Sequence, residues 1–153
     1  MAAFETEVNV QATVEELFDF LIQPINIKAI SPPEMGLKFI EAPDKYSNEC
    51  EVRFAVQTMG QIQEFTHRIT HFDEPNLFIE ELIVGPLPLW KHSHHFATTD
   101  AGLTTLKDVI EFKPPGGLIG LMMSEARILD SLEDGFYYRH QQLSKNFPSM
   151  NKA

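Results

Sequence analysis

The sequence predicts an α+β protein in which a curved, seven-stranded antiparallel sheet wraps around one long C-terminal helix, with two short helices after strand 1. Three observations carry this expectation. Apolar residues alternate with period two from Gly36 to Phe112, through six segments joined by short, turn-rich links. At "PPGG", Pro114 to Gly117, the period changes to steps of three and four that continue to Phe147. A further alternating segment and a capped helix stand ahead of them at the N-terminus.

In order, "FETEVNV" sends Phe4, Thr6, Val8 and Val10 one way and Glu5, Glu7 and Asn9 the other, the pattern of a half-buried strand. In "TVEELFDFL" Thr13 and Glu16 form a capping box, and the apolar residues that follow share a helical face. Pro24 and the Pro32–Pro33 pair confine a second helix to "INIKAI". The six later strands are "GLKFIEA", "ECEVRFAVQ", "EFTHRITHF", "LFIEELIV", "WKHSHHFAT" and "TTLKDVIEF". Their links carry Pro43–Asp44, Gly60, Asp73 to Asn76, Gly85–Pro86 and Asp100 to Gly102, and links this short join antiparallel neighbours. The closing stripe is Met122, Ala126, Leu129, Leu132, Phe136, His140, Leu143 and Phe147. It predicts a helix from about Leu118 to Phe147, about 40 Å long if roughly 27 of those residues run unbroken, with Gly135 as the place for a bend. One helix does not fill the concave side of seven strands, so a cavity is expected between helix and sheet.

At 153 residues the chain is expected to form a single domain, residues 1–153. Twelve Lys and Arg against 22 Asp and Glu give a formal net charge of −10, which repels phosphate backbones and anionic headgroups. Nucleic acid and membrane insertion are therefore not expected. Cys50 is the single cysteine, which rules out an internal disulfide framework and fits a reducing compartment. "MAAFETEVNV" has neither the basic nor the apolar region of a signal peptide, so the expected location is cytoplasmic.

Strand alternation then sorts the side chains that face the cavity. Cys50, Val52, Phe54 and Val56 are expected to point inward from one strand, and Phe65, His67, Ile69 and His71 from the next. In "WKHSHHF" the pleat divides the histidines: Trp90, His92, His94 and Phe96 face in, while Lys91, Ser93 and His95 face out. Leu106, Asp108, Ile110 and Phe112 face in from the last strand. A three-residue turn at Asp100 to Gly102 sets Phe96 opposite Leu106, His94 opposite Asp108, and His92 opposite Ile110. Glu81 shares the phase of Leu77, Ile79 and Ile83 and is expected to join the polar group near His67.

An inward carboxylate facing an inward imidazole has several readings. It is a charge-compensated core pair, or a polar anchor for a cavity ligand. It is otherwise an acid–base pair, with His94, Asp108 and His92 as catalytic candidates. No HExxH or cysteine pattern accompanies it, so neither metal nor cofactor is expected. Cys50 reads as a small core residue, and "PPGG", lacking GxxxxGK[ST], as a turn. The expected lining is Phe54, Phe65, His67, Glu81, Trp90, His92, His94, Phe96, Asp108 and Ile110 from the sheet. Met122, Ala126, Leu129 and Phe136 complete it from the helix.

The order of elements, "ATVEELFDFLIQPINIKAISP" and "GPLPLWKHSHHFATTDAGLTTLKDVIEFKPPGG" together resemble the START-like or SRPBCC superfamily, the helix-grip fold of the birch pollen allergen and of polyketide cyclases. The second stretch is similar to that superfamily's Gly-Pro, Trp-x-His-x-His-x-Phe, Gly-x-Thr-x-Leu-x-Asp and Pro-x-Gly pattern, and "FYYRHQQL" is a further match. The resemblance spans roughly residues 3 to 147. It implies a carrier or sensor of a hydrophobic small molecule, lipid or polyketide-like, held between sheet and helix. Two other roles within the superfamily are a cyclase or dehydratase acting through the His/Asp pair, and a protein-binding module similar to its co-chaperone members. No Rieske pattern and no catalytic signature of the cyclase branch stand in the chain.

Overall fold

In the computed structural model, which describes residues 1–58 and 60–148, the chain forms one seven-stranded antiparallel sheet with helices on its concave side. The elements are β1 (Ala2–Val10), α1 (Val14–Leu21), α2 (Pro24–Ala29), a single 3₁₀ turn (Pro33–Met35), β2 (Lys38–Glu41) and β3 (Glu51–Thr58). Then follow β4 (Gln61–Asp73), β5 (Leu77–Val84), β6 (Leu89–Thr98), β7 (Thr104–Lys113), α3 (Gly117–Met122) and α4 (Glu125–Asn146). Strand order is β1-β7-β6-β5-β4-β3-β2, so β1 closes against the last strand while all other neighbours are sequential hairpins.

Local chemistry sets the first helices. The Thr13 hydroxyl accepts the Glu16 N–H at 3.1 Å, and Pro24 opens α2 where its missing N–H costs nothing. Helix α1 drives Phe18 into the concave face, fully buried, with its ring edge against Phe72, Phe78 and Phe96 at 5.3, 5.6 and 5.1 Å. This is the centre of one apolar cluster, at the end of the sheet where the β4–β5 and β6–β7 turns lie. A second cluster, at the other end, gathers Ile110, Phe112, Leu87, Met123, Ile128 and Phe136. Helix α4 spans both, with Phe136 in the second cluster and Leu143 in the first. The sheet therefore grips the helix as its alternating faces require.

Three expectations are corrected. The C-terminal helix is not continuous: α3 ends at Met122, and Ser124 starts α4 by accepting the Arg127 N–H at 3.3 Å. The interruption lies there and not at Gly135, and it shifts the phase of the stripe. Met122 and Ala126 are exposed, and Met123 and Ile128 take the buried places. On β5 the inward residues are Phe78, Glu80 and Leu82, so Glu81 lies on the outer face. Apolar residues occupy both phases of "LFIEELIV", so alternation alone does not decide; pairing of Phe78 with His94 does. On β4 a register shift between Ile69 and His71 turns His71 out and Phe72 in.

Phe18→Ala is expected to cost about 3–5 kcal/mol, because three aromatic neighbours cannot collapse into the space left. Urea unfolding measures this, and a loss below about 1 kcal/mol would show that α1 does not anchor the first cluster. Gly135→Ala should instead stabilise α4 by about 0.5–1 kcal/mol, since a Cβ there meets nothing within 4 Å.

Candidate functional site

Between the two apolar clusters the inner face carries a belt of polar side chains, one or two from each successive strand. On β7 Asp108 separates Leu106 from Ile110, and on β6 His94 and His92 separate Phe96 from Trp90. On β5 Glu80 separates Phe78 from Leu82, and on β4 His67 separates Ile69 from Phe65. Thr6 of β1, paired with Asp108, extends the belt between Phe4 and Val8. Helix α4 crosses it at His140, between Phe136 and Leu143.

Within the belt, His94 lies opposite Asp108, as the turn predicts, and Glu80 lies opposite His92. The His92 and His94 rings stack at 3.7 Å, and Phe78 covers the other face of His94 at 4.0 Å. His92 Nε2–H donates to Asp108 Oδ1 at 2.7 Å, and His94 Nδ1–H donates to the same oxygen at 3.1 Å. On the other side His94 Nε2 meets Glu80 Oε2 at 3.3 Å, and His67 Nδ1 meets Glu80 Oε1 at 3.0 Å. Asp108 is 1% exposed, and the three imidazoles are buried. Removing one partner of such a pair strands a charge at a cost of about 3–5 kcal/mol.

Burial is the largest influence on Asp108, Glu80, His92 and His94, and it disfavours charge. For Asp108 it is outweighed by hydrogen bonds from His92 and His94, and for Glu80 by those from His67 and His94, so both carboxyls titrate well below their usual range. Burial also pulls His94 down, but Asp108 and Glu80 prevail and hold its imidazolium above the ordinary value. His92 goes the other way: burial and the His94 charge lower it to about 4 despite Asp108. Between about pH 4 and 6.5 the stacked pair thus divides into a charged His94 and a neutral His92.

Two buried polar atoms have no hydrogen-bond partner among the described residues, Asp108 Oδ2 and His140 Nε2. Such atoms cost about 1–3 kcal/mol each and call for an explanation. Near them a pocket of about 290 Å³ opens between β1 and α4, lined by Phe4, Glu5, Thr6, Glu133, Phe136, Tyr137 and His140. Thr6 and His140 are its connection to the belt.

The structure therefore brings His67, His92, His94 and Asp108 together, and adds Glu80. Phe54, Phe65, Trp90, Ile110 and Leu129 face inward around them, with Phe54 stacked on Phe65 at 5.4 Å and Trp90 against Phe112 at 5.8 Å. Phe96 packs into the first cluster and does not line the pocket, while Glu81, Met122 and Ala126 lie off the inner face. Of the expected lining only Phe136 reaches the pocket. Phe4, Thr6 and His140 stand on the predicted inner stripes, and nothing in the sequence alone marks them out as a seam. Glu80, His92 and His94 also present ligand atoms within 4.8 Å of one another, a set able to hold a metal ion.

The pH dependence follows from the divided pair, for protein kept free of metal. In the unfolded chain His92 takes up its proton near pH 6.5, and in the folded chain only near pH 4. Between these values the unfolded state binds more protons, so stability falls as pH falls, by about 3 kcal/mol. The His94 contribution is complete below pH 6.5 and is lost as pH rises through its higher folded value. Those of the carboxylates begin to be lost below pH 4.5. Stability should peak near neutrality, and His92→Asn, which keeps a donor for Asp108, should flatten the fall between pH 6.5 and 4.5. Urea midpoints for both proteins measure this; identical acid limbs would refute the division.

No family model matches the chain, and no curated protein matches it by sequence. Solved structures do match. A protein from Chromobacterium violaceum superposes with a TM-score of 0.73 over 96% of this chain and 97% of its own, at 14% identity. A protein from Thermus thermophilus gives 0.71 over 95% and 99%, at 10% identity. A major latex-like protein of ginseng, Panax ginseng, gives 0.64 over 92% and 96%, at 13% identity. No helix among the described residues is long and apolar enough to cross a membrane. At these identities the likeness establishes the fold alone, and that fold is the helix-grip.

Proposed function

We propose that the protein binds a small hydrophobic molecule, lipid or polyketide-like, at the seam between β1 and α4, with the polar belt anchoring its polar end. The observation that carries this is the coincidence of pocket and belt. The 290 Å³ pocket has aromatic walls in Phe4, Phe136 and Tyr137, and Thr6 and His140 belong to both pocket and belt. Phe136 joins the two directly, with its ring 5.6 Å from Phe4, 6.0 Å from His140 and 5.9 Å from His92. Apolar walls with a few convergent polar groups are the usual composition of a small-molecule site. The unpartnered His140 Nε2 and Asp108 Oδ2 are the polar atoms with capacity to spare. A carrier or sensor needs nothing further.

One observation favours a protein-binding role as the second reading. Leu118, Ile119, Leu121 and Met122 are exposed on α3, at the same end of the sheet as exposed Ile62 and Val84. Exposed apolar groups gathered at one end suit a partner surface.

Nile red, a neutral apolar probe, should bind the wild-type protein, and Thr6→Trp, which fills the seam, should weaken it at least about tenfold, roughly 1.4 kcal/mol. Leu118→Ser with Leu121→Ser should leave that affinity unchanged. The opposite outcome would move the apolar site to α3 and favour the protein-binding reading. Native mass spectrometry of the purified protein identifies any molecule carried through purification. Asp108→Asn then separates the roles of the belt. An anchor loses ligand affinity, a purely structural pair loses stability alone, and an acid–base pair loses turnover while binding survives.

A further inference from the structure

In the corner of the belt where Glu80 meets His92 and His94, a hydrogen bond joins His94 to Glu80, while His92 Nδ1 stands 4.0 Å from Glu80 Oε1, beyond hydrogen-bond reach. Asp108 Oδ1 accepts hydrogen bonds from His92 Nε2–H at 2.7 Å and His94 Nδ1–H at 3.1 Å. With these protons committed to Asp108, the opposite ring nitrogens of both histidines face Glu80. His94 Nε2 lies 3.3 Å from Oε2, and His92 Nδ1 lies 4.0 Å from Oε1. His92 Nδ1 then turns a lone pair toward a carboxylate oxygen, one acceptor against another.

A cation resolves that conflict. The three ligand atoms lie within 4.8 Å of one another. Tetrahedral bonds of about 2.0–2.2 Å require ligand atoms roughly 3.3–3.6 Å apart, and the two imidazoles, now stacked at 3.7 Å and 26° to one another, reach this by tilting apart until both ring planes point at the ion. One divalent ion would also balance the Asp108 and Glu80 carboxylates with both imidazoles neutral. Each ligand is already held from behind. Asp108 fixes the tautomer of both imidazoles, and His67 holds Glu80 Oε1 at 3.0 Å. Imidazole nitrogens exclude the hard, all-oxygen preferences of calcium and magnesium and suit a borderline ion.

The geometry points to a site for a zinc-class divalent ion, with Glu80, His92 and His94 as ligands and Asp108 and His67 as positioning residues. The sequence carries no linear motif for it because Glu80 stands on β5 and the histidines on β6, and only the strand pairing of Glu80 with His92 joins them. Three protein ligands leave a fourth coordination position for a water or a bound molecule. The site does not depend on the carrier reading.

Protein stripped with a chelator and titrated with zinc chloride against a chromophoric chelator should take up one equivalent. Cobalt(II) should give the intense visible absorption of a tetrahedral centre. Glu80→Gln and His94→Gln should each weaken zinc at least about hundredfold, Asp108→Asn about 10–100-fold, and His95→Gln, on the outer face, not at all. Far-UV circular dichroism checks that the variants fold. The wild type gives a second readout that needs no variant: cobalt should shift the ring-proton resonances of His92 and His94 strongly and that of His95 little. Absence of zinc uptake by the wild type would overturn the site, and so would uptake that folded Glu80→Gln and His94→Gln proteins retain in full. Failure of Nile red to bind would leave it standing.

Discussion

Two carboxylates, a fully buried Asp108 and a Glu80 whose side chain is 16% exposed, stand in the middle of an apolar sheet face, and the surrounding structure answers to that constraint. A buried anion without partners would cost far more than a domain of this size can spare. Three imidazoles from β4 and β6 supply the partners, which fixes their rotamers and which of their nitrogens carry protons. That requirement sets the register of β5 against β6, because Glu80 reaches His92 and His94 only when Phe78 pairs with His94. A one-residue slip would bury Glu81 in its place and expose Phe78. The belt therefore specifies strand pairing as well as local charge.

The same belt divides the apolar core. The cluster around Phe18 is closed by α1 and α2, and the cluster around Phe112 by the start of α4. Helix α4 is the helix common to both, and it meets the belt at His140. Dispersion and burial hold the helix at Phe136 and Leu143, each packed in its own cluster. Between these two anchors the seam with β1 stays open enough for a pocket. Function is concentrated where the apolar packing is interrupted, since a saturated apolar core offers a ligand neither volume nor hydrogen bonds.

Much of this was legible in the sequence. Period two and period 3.6 are direct consequences of backbone geometry, so strand, helix and order followed from spacing alone. The same pleat placed His92 and His94 inside and His95 outside, and a turn of fixed length placed His94 against Asp108. The capping box at Thr13 was equally local. Where local signals were balanced, spacing failed. "LFIEELIV" is apolar in both phases, so spacing does not tell Glu80 from Glu81 as the inward carboxylate. Ser124 gives no capping box, so spacing carries no signal of the phase slip between α3 and α4 that turns Met122 and Ala126 outward.

The amino-acid sequence by itself determined the strands, the first two helices, the antiparallel order and the inward set on β1, β6 and β7, because each depends on repeats within one strand, one helix or one tight turn. Tertiary structure alone decided that Glu80 completes the cluster, that Thr6 and His140 meet at a seam, and that Phe96 serves the core. Those outcomes depend on which strand lies beside which and on where a helix crosses the sheet. Contacts between residues far apart in the chain leave no period in it.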